Sequence, residues 1–317
     1  MSRFKQADLN AVRTIPLSGR KNRSNITDFA QVCDSRNAKA FFDALPRCLK
    51  SADLIEFMRH IKNARKKGLP FHVLMGAHVT KVGLSPIVID LIKEKIITGI
   101  SLNSAGLIHD LELTFWGKTS EDVQAGLIDG TFGMARETGL LFAAVVELAE
   151  KESIGLGEAA GVVINGSKAK YRKHSLFGYC EENNIPATVH IAIGADIVHQ
   201  QSCFKAGPAA EASYRDFKIL ANTLSDADKG GVVANIGSAV LLPEVFLKAL
   251  TVSRNLKKGK RNIITADFDM ISHYRPMMNV VSRPTARGGK GFSFIGHHEI
   301  MIPLLAWGLK AYISGTE

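Results

Sequence analysis

The chain is 317 residues long, 46% hydrophobic and 22% charged, with a formal net charge of +10. That length and apolar share build one large α/β domain or two small ones and exclude global disorder. No charge-free apolar run of about 18 residues occurs, so no membrane-spanning helix is expected, and the basic residues 1–24 lack the apolar core of a secretory signal.

The four cysteines, Cys33, Cys48, Cys180 and Cys203, are far apart and form no CxxC pair. Reduced thiols and a cytoplasmic setting are expected, rather than a disulfide framework or zinc ribbon. Residues 1–27 are polar with little periodicity and read as an extended arm. Residues 28–317 contain no linker and no repeat, so they read as one domain.

In chain order, helices are expected over 28–48 and 51–67, and a strand over 69–75, ended by Gly76. Ser85-Pro86 opens a helix to Lys95, since proline suits a first helical turn. A strand follows over 96–102, then helices dominate from 120 to 152. Further strands are expected over 186–193, 231–236 and 261–266, with a helix over 243–254. Strands alternating with helices imply βαβ units. The strands read as apolar runs without in/out alternation, as strands covered on both faces should. The expected fold is a Rossmann-like α/β domain, an open and mainly parallel sheet with helices on both faces.

Small or polar residues close each strand: Gly76-Ala77-His78, Asn103-Ser104-Ala105-Gly106, Gly194-Ala195-Asp196, Asn235-Ile-Gly237-Ser238 and Thr265-Ala-Asp267-Phe-Asp269. In open α/β sheets ligands bind past the carboxyl ends of strands, so five such ends point to a nucleotide cleft. Gly155-Leu-Gly157-Glu-Ala-Ala-Gly161 imitates a dinucleotide fingerprint, but no strand precedes it and its third glycine is one place late. Lys81, Lys118 and Lys290 sit near small-residue turns and are candidate imine-forming amines. His109-Asp110-x-Glu112, Asp196-x-x-His199 and His297-His298-Glu299 offer metal-ligand types. Adjacent histidines on a strand point to opposite faces, so the metal reading ranks second. The basic clusters, Lys62 to Lys67 and Arg254 to Arg261, carry no interleaved aromatics. They read as solvated helix ends, and a nucleic-acid partner is not expected.

Taken together, these motifs resemble the deoxyhypusine synthase family, in its bacterial deoxyhypusine synthase-like branch, over about residues 37–305. The matching stretches are Ala77 to Gly83, Asn103-Ser104-Ala105-Gly106 with His109-Asp110, Asn184-Ile-Pro186-Ala-Thr and Gly194-Ala-Asp196-Ile-Val-His199. Gly237-Ser238-Ala239 and Ile302-Pro303-Leu304-Leu305 continue the order. The resemblance implies a homotetramer with sites between subunits, bound NAD, and spermidine as substrate. An aminobutyl group would pass from the polyamine to an amine, in the family a lysine of a translation factor. By position, Ala77, His78, Lys81, Ser104, Ala105, Gly106, Asp110, Gly237, Thr265 and His297 would line the NAD site, with Asp110 at a ribose hydroxyl. Asp196 and Glu244 would face the polyamine, and His109 or His199 would shuttle protons. The family's Ser-Trp-Gly-Lys motif falls on Val281-Ser282-Arg283-Pro284-Thr285, with Thr285 at the lysine. That leaves Lys290, in Gly288-Gly-Lys-Gly291, as the imine lysine. The alternatives are a metal-dependent hydrolase using the histidine and carboxylate clusters, and a non-catalytic nucleotide-binding protein.

Overall fold

The computed structural model describes residues 38–256 and 261–314. The expected arm over 1–27 and the first ten residues of the expected 28–48 helix lie outside the described residues. Among the described residues there are six strands: β1 Phe71–Met75, β2 Gly99–Asn103, β3 Ala187–His190, β4 Val232–Ile236, β5 Ile264–Asp269 and β6 Lys290–Ile295. The helices are α1 Ala38–Ala44, α2 Leu49–Lys66, α3 Ala77–Lys81, α4 Ser85–Lys93, α5 Ser104–Trp116, α6 Val123–Asp129 and α7 Arg136–Glu152. They continue with α8 Leu156–Asn165, α9 Leu176–Glu182, α10 Ala206–Ala227, α11 Leu241–Leu256, the single turn α12 Tyr274–Pro276 and α13 His298–Ser314.

All five strand pairings are parallel, and the order is β3-β2-β1-β4-β5-β6. This is the doubly wound order, and its direction reverses between β1 and β4. The expected open parallel α/β sheet is therefore present. Its sixth strand was missed because Gly288-Gly-Lys-Gly291 reads as a turn. In fact Lys290 opens β6, and the alternating Phe292-Ser293-Phe294 continues it.

The expectation that the strands do not alternate is corrected by the register. Residues side by side in a parallel sheet share a face. One face carries the rows Ala187–Ile100–Val73–Ala234–Ala266–Phe292 and Val189–Leu102–Met75–Ile236–Phe268–Phe294. Both rows are wholly apolar and pack on α2, where Phe57 meets Phe71, Phe268, Phe292 and Phe294. The opposite face carries the row Thr188–Ser101–Leu74–Asn235–Asp267–Ser293. Its apolar members join Leu220 and Leu224 of α10 and Leu242 and Phe246 of α11 in a second core.

Except for the half-buried Ser293, the polar members are buried too, so they must find partners inside the protein. His72 Nε2 and Ser101 Oγ are 2.8 Å apart, Ser101 Oγ and Thr188 Oγ1 2.6 Å, and Thr188 Oγ1 and His190 Nε2 3.1 Å. Burial pushes His72 down to about 3 and His190 down to about 4, so this chain is neutral at physiological pH. Thr265, expected at the cofactor, belongs to this interior. It is the second residue of β5, fully buried, and donates to Val280 O at 2.7 Å.

The false fingerprint is a packing device. A Cβ on Gly157 would lie 2.0 Å from Ala187 O, and the N–H of Gly157 donates to the buried carboxylate of Asp216 at 3.0 Å. Asp216 also accepts from Val189 N at 2.8 Å and so ties the start of α8 to β3.

At the switch point, the turns after β1 and β4 touch backbone to backbone. A Cβ on Gly76 would lie 2.0 Å from Gly237 O. Gly237 has φ +68, a conformation in which side chains are strained. Gly76→Ala is therefore expected to cost about 1–3 kcal/mol or more through overpacking. Urea unfolding checks this, and an unchanged midpoint would show that the turns can part freely.

Candidate functional site

A cavity of about 300 Å³ opens beyond the carboxyl ends of β2 and β3. Helix α5 builds one wall. It starts directly after β2, where the Asn103 side chain accepts from Gly106 N at 3.0 Å and fixes the first turn. Ala105, Ile108, His109 and Glu112 then fall on one helical face and line the cavity. Lys81 at the end of α3, the stretch containing Ser120, Glu121, Val123, Phe132 and Ala135, and the post-β3 residues Ala195, Asp196 and Ile197 close the other sides.

His109, Thr119 and Glu112 form a relay. Thr119 Oγ1 donates to Glu112 Oε2 at 2.5 Å and lies 2.6 Å from His109 Nδ1. The threonine hydrogen is spent on the carboxylate, so the hydrogen-bond order puts a proton on Nδ1 and leaves Nε2 as the basic nitrogen. Thr138 Oγ1 holds the other carboxylate oxygen at 2.8 Å. Burial lowers the pKa of His109, opposed by Glu112 and assisted by Lys81 and His78. The ring is thus a neutral, oriented base at neutral pH.

Asp196 is the second feature. Burial raises its carboxyl, opposed by a hydrogen bond from Ser104 Oγ. His199 Nδ1 accepts from Gly194 N at 3.1 Å and Asp196 N at 3.2 Å. That nitrogen is consumed by backbone, and the ring packs on Phe204 at 4.4 Å. His199 is therefore corrected from proton shuttle to the residue that shapes the Asp196 loop.

Among the other expected site residues, Asp110 is corrected from ribose ligand to internal cap. It is 1% exposed, and it accepts from Ser175 Oγ at 2.6 Å and Leu176 N at 2.9 Å. It holds the start of α9 and faces away from the cavity. Gly106 is buried, and a Cβ there would lie 2.8 Å from Leu102 Cδ2, so it seats α5 on β2 rather than a cofactor. Ser104 is fully buried and spent on Asp196.

Lys290 is corrected more strongly. It is the first residue of β6, at the sheet's amino edge, and pairs with Glu56 at 2.6 Å. A strand rises about 3.3 Å per residue, so the six-residue β6 separates Lys290 from the carboxyl edge by about 16 Å. Lys290→Ala is expected to leave kcat/KM within about twofold of wild type, as for a surface substitution remote from the chemistry. A larger loss in steady-state turnover would return it to the site. Glu244, in the first turn of α11, is bound to Lys248, to Asn279 at 2.8 Å and to Arg275 at 3.4 Å, and does not line the cavity. His297 is 65% exposed in its side chain and pairs with Glu299 at 3.8 Å.

The neighbouring His298, which the sequence offers only as a metal-ligand type, takes the place expected of His297. It is 1% exposed, its ring covers Gly237, and it lies 5.6 Å from the ring of His78. Along the ends of β2, β1 and β4, the partly exposed Ala105, Ala77 and Gly237 leave the backbone approachable. His78 and Lys81 add basic groups beside them. Three buried atoms without a protein partner, Thr80 Oγ1, Asn235 Oδ1 and His298 Nδ1, belong to residues at or just beyond the carboxyl ends of β1, β4 and β6. The approachable backbone beside the basic groups of His78 and Lys81 fits an anionic dinucleotide such as NAD. Among the described residues no three of His, Cys, Asp and Glu come together to hold a metal ion. The clusters that suggested a hydrolase are scattered: His109 is at the cavity, Asp110 inside, and His297 on the surface beyond β6. No described helix is long and apolar enough to cross a membrane.

Neither a family model nor a curated protein sequence matches the chain. Solved structures do. The arginine dihydrolase ArgZ of the cyanobacterial ornithine-ammonia cycle superposes with TM-score 0.52 at 14% identity, over 83% of this chain and 33% of its own. AgrE, in a ternary complex with ornithine and NAD+, gives 0.51 at 13% identity, over 83% and 33%. A candidate deoxyhypusine synthase from Entamoeba histolytica gives 0.49 at 12% identity, over 85% and 91%. At identities this low, the first two show a shared fold and nothing finer. The chain spans about a third of the length of those two proteins.

Proposed function

We propose that the chain is a deoxyhypusine synthase-like enzyme that uses NAD to act on spermidine or a related small amine and to transfer its aminoalkyl group to an amine acceptor. The observation that carries this reading is the cavity itself. It combines a neutral histidine base with three carboxylates, Glu112, Glu121 and Asp196, against one lysine, Lys81. Such a lining favours a cationic amine, because a desolvated ammonium needs a charge partner.

Asp196 anchors an ammonium, held in place by Ser104 and the His199-bound loop. His109 Nε2 takes the proton from the reacting nitrogen, and Thr119 and Glu112 stabilise the imidazolium that results. Ala77, His78, Lys81, Ala105, Gly237 and His298 would hold NAD, which supplies the chemistry of taking a hydride from the amine-bearing carbon and returning it. Lys81 replaces Lys290 as the amine at the cavity. A homotetramer with sites between subunits, and a protein lysine as acceptor, belong to the same proposal. The NAD+ complex of AgrE, a protein of the same fold, supports the cofactor.

The test incubates the full chain with NAD and spermidine and follows NADH formation and amine products by mass spectrometry. Spermidine-dependent NADH is expected, with Asp196→Asn raising KM about tenfold or more, as for loss of a charged hydrogen bond. No hydride transfer and no new amine with any polyamine would overturn the proposal.

A further inference from the structure

The amino edge of the sheet, opposite the cavity, carries a linear array of cations that the proposed activity does not use. Five of the six strands are preceded there by basic residues, whereas β3 follows α9, which ends on Glu181-Glu182. Reading along the sheet, Lys95 precedes β2, Lys66 and Lys67 precede β1, Lys229 precedes β4, Arg261 precedes β5 and Arg287 precedes β6. All six are exposed except that Lys229 also pairs with Asp226 at 2.7 Å. These segments are distant in sequence, and the strand order alone places them side by side. Neighbouring strands lie about 4.8 Å apart, so the row runs about 20 Å across five strands.

The nearby acids do not cancel it. Asp228 is engaged by Arg254 at 2.7 Å and Asp226 by Lys229, while Glu94 beside Lys95 and Glu182 before β3 are exposed. The row is also concave. A groove of about 760 Å³ opens at the ends preceding β2, β1 and β4, where Arg65, Lys95 and Lys229 outnumber the one carboxylate of the lining, Asp226, beside Asn222 and the apolar Leu69 and Ile96.

We infer that this edge binds the phosphodiester backbone of a single-stranded nucleic acid. Cations along such an edge neutralise phosphates, and the Asn222 amide adds a hydrogen-bond donor, the hydroxyls of Thr98 and Thr223 being spent on Phe71 O and Ile219 O. No aromatic side chain lines the groove, so bases are not stacked and binding is independent of sequence. This revises the expectation drawn from composition. The basic clusters are helix ends, but the fold gathers them into one row instead of scattering them.

The experiment measures binding of the full chain to a fluorescent random-sequence 20-nucleotide RNA across a salt series. Affinity is expected to fall steeply with salt, with a log–log slope of about −0.7 per neutralised phosphate. Lys66→Glu/Lys67→Glu is expected to weaken binding at least tenfold and to flatten that slope. Lys170→Glu/Lys173→Glu changes net charge equally at residues outside the row and is expected to leave binding within about twofold. No binding at low salt, equal losses in the two double variants, or equal binding to anionic lipid vesicles would each overturn the inference.

Discussion

Replacing His109 with glutamine is expected to lower kcat/KM for spermidine-dependent hydride transfer by about 10²–10⁴-fold, the usual contribution of a positioned acid–base group. The unfolding midpoint should barely move, because His109 lines the cavity rather than the core. The relay makes further graded results. Thr119→Val removes the group that orders the ring's protons, since Thr119 Oγ1 bridges His109 Nδ1 and Glu112 Oε2. It should cost less than loss of the base itself. The pH profile carries a sign. Activity requires neutral His109, whose pKa burial lowers, so the acidic limb should lie below the ordinary histidine range. Glu112 raises that pKa, so Glu112→Gln should move the limb to still lower pH. A limb that moves upward in this variant would show that the base is another group.

Asp110→Ala is expected to destabilise the fold by about 3–5 kcal/mol, because each orphaned buried donor costs about 1–3 kcal/mol. The orphans are Leu176 N and Ser175 Oγ, both held by this carboxylate at the start of α9. Asp110→Asn keeps an acceptor for Leu176 N and should cost less, and the difference depends on pH. Burial pushes Asp110 up to about 6, against its hydrogen bonds from Ser175, Leu176 and Phe177. A raised carboxyl contributes stability that is complete below its unfolded pKa and is lost as pH rises through its folded one. Between about pH 4 and 6 the wild type should therefore lose stability relative to Asp110→Asn. Denaturant melts at pH 4, 5 and 7 read this directly, and an Asn variant that loses ground with rising pH would mean that Asp110 is ionised and well compensated inside the protein. Retained activity in a folded Asp110→Asn variant separates this internal role from the ribose contact that the sequence motif implies.

Much of the sheet was legible, because Gly76, Asn103 and Gly237 punctuate real strand ends. The two-faced character of the strands was not. His72, Ser101, Thr188, Asn235 and Asp267 interrupt the apolar runs at every second position, the signature of alternation. They were read through because a polar strand face normally meets water, and here it is covered by α10 and α11. The site was half legible for a related reason. His109 and Asp110 are adjacent in sequence but about 100° apart around a helix, so one enters the cavity and the other the core. The phase was readable: Asp110 sits with Leu107, Leu111 and Thr114 on the buried stripe of α5. The same one-residue ambiguity exchanged His297 for His298. Lys290 was misplaced because a glycine-rich run does not reveal which end of a strand it adjoins.

The most direct measurement follows isotope rather than absorbance. The full chain is given NAD and spermidine deuterated at the carbons next to nitrogen, and NADH is analysed by mass spectrometry. If the cavity holds the amine against His109 and Asp196, deuterium appears in NADH with wild-type protein and falls sharply with His109→Gln and with Asp196→Asn. Unlabelled NADH, or label transfer indifferent to both substitutions, would place the amine chemistry elsewhere or nowhere in this chain.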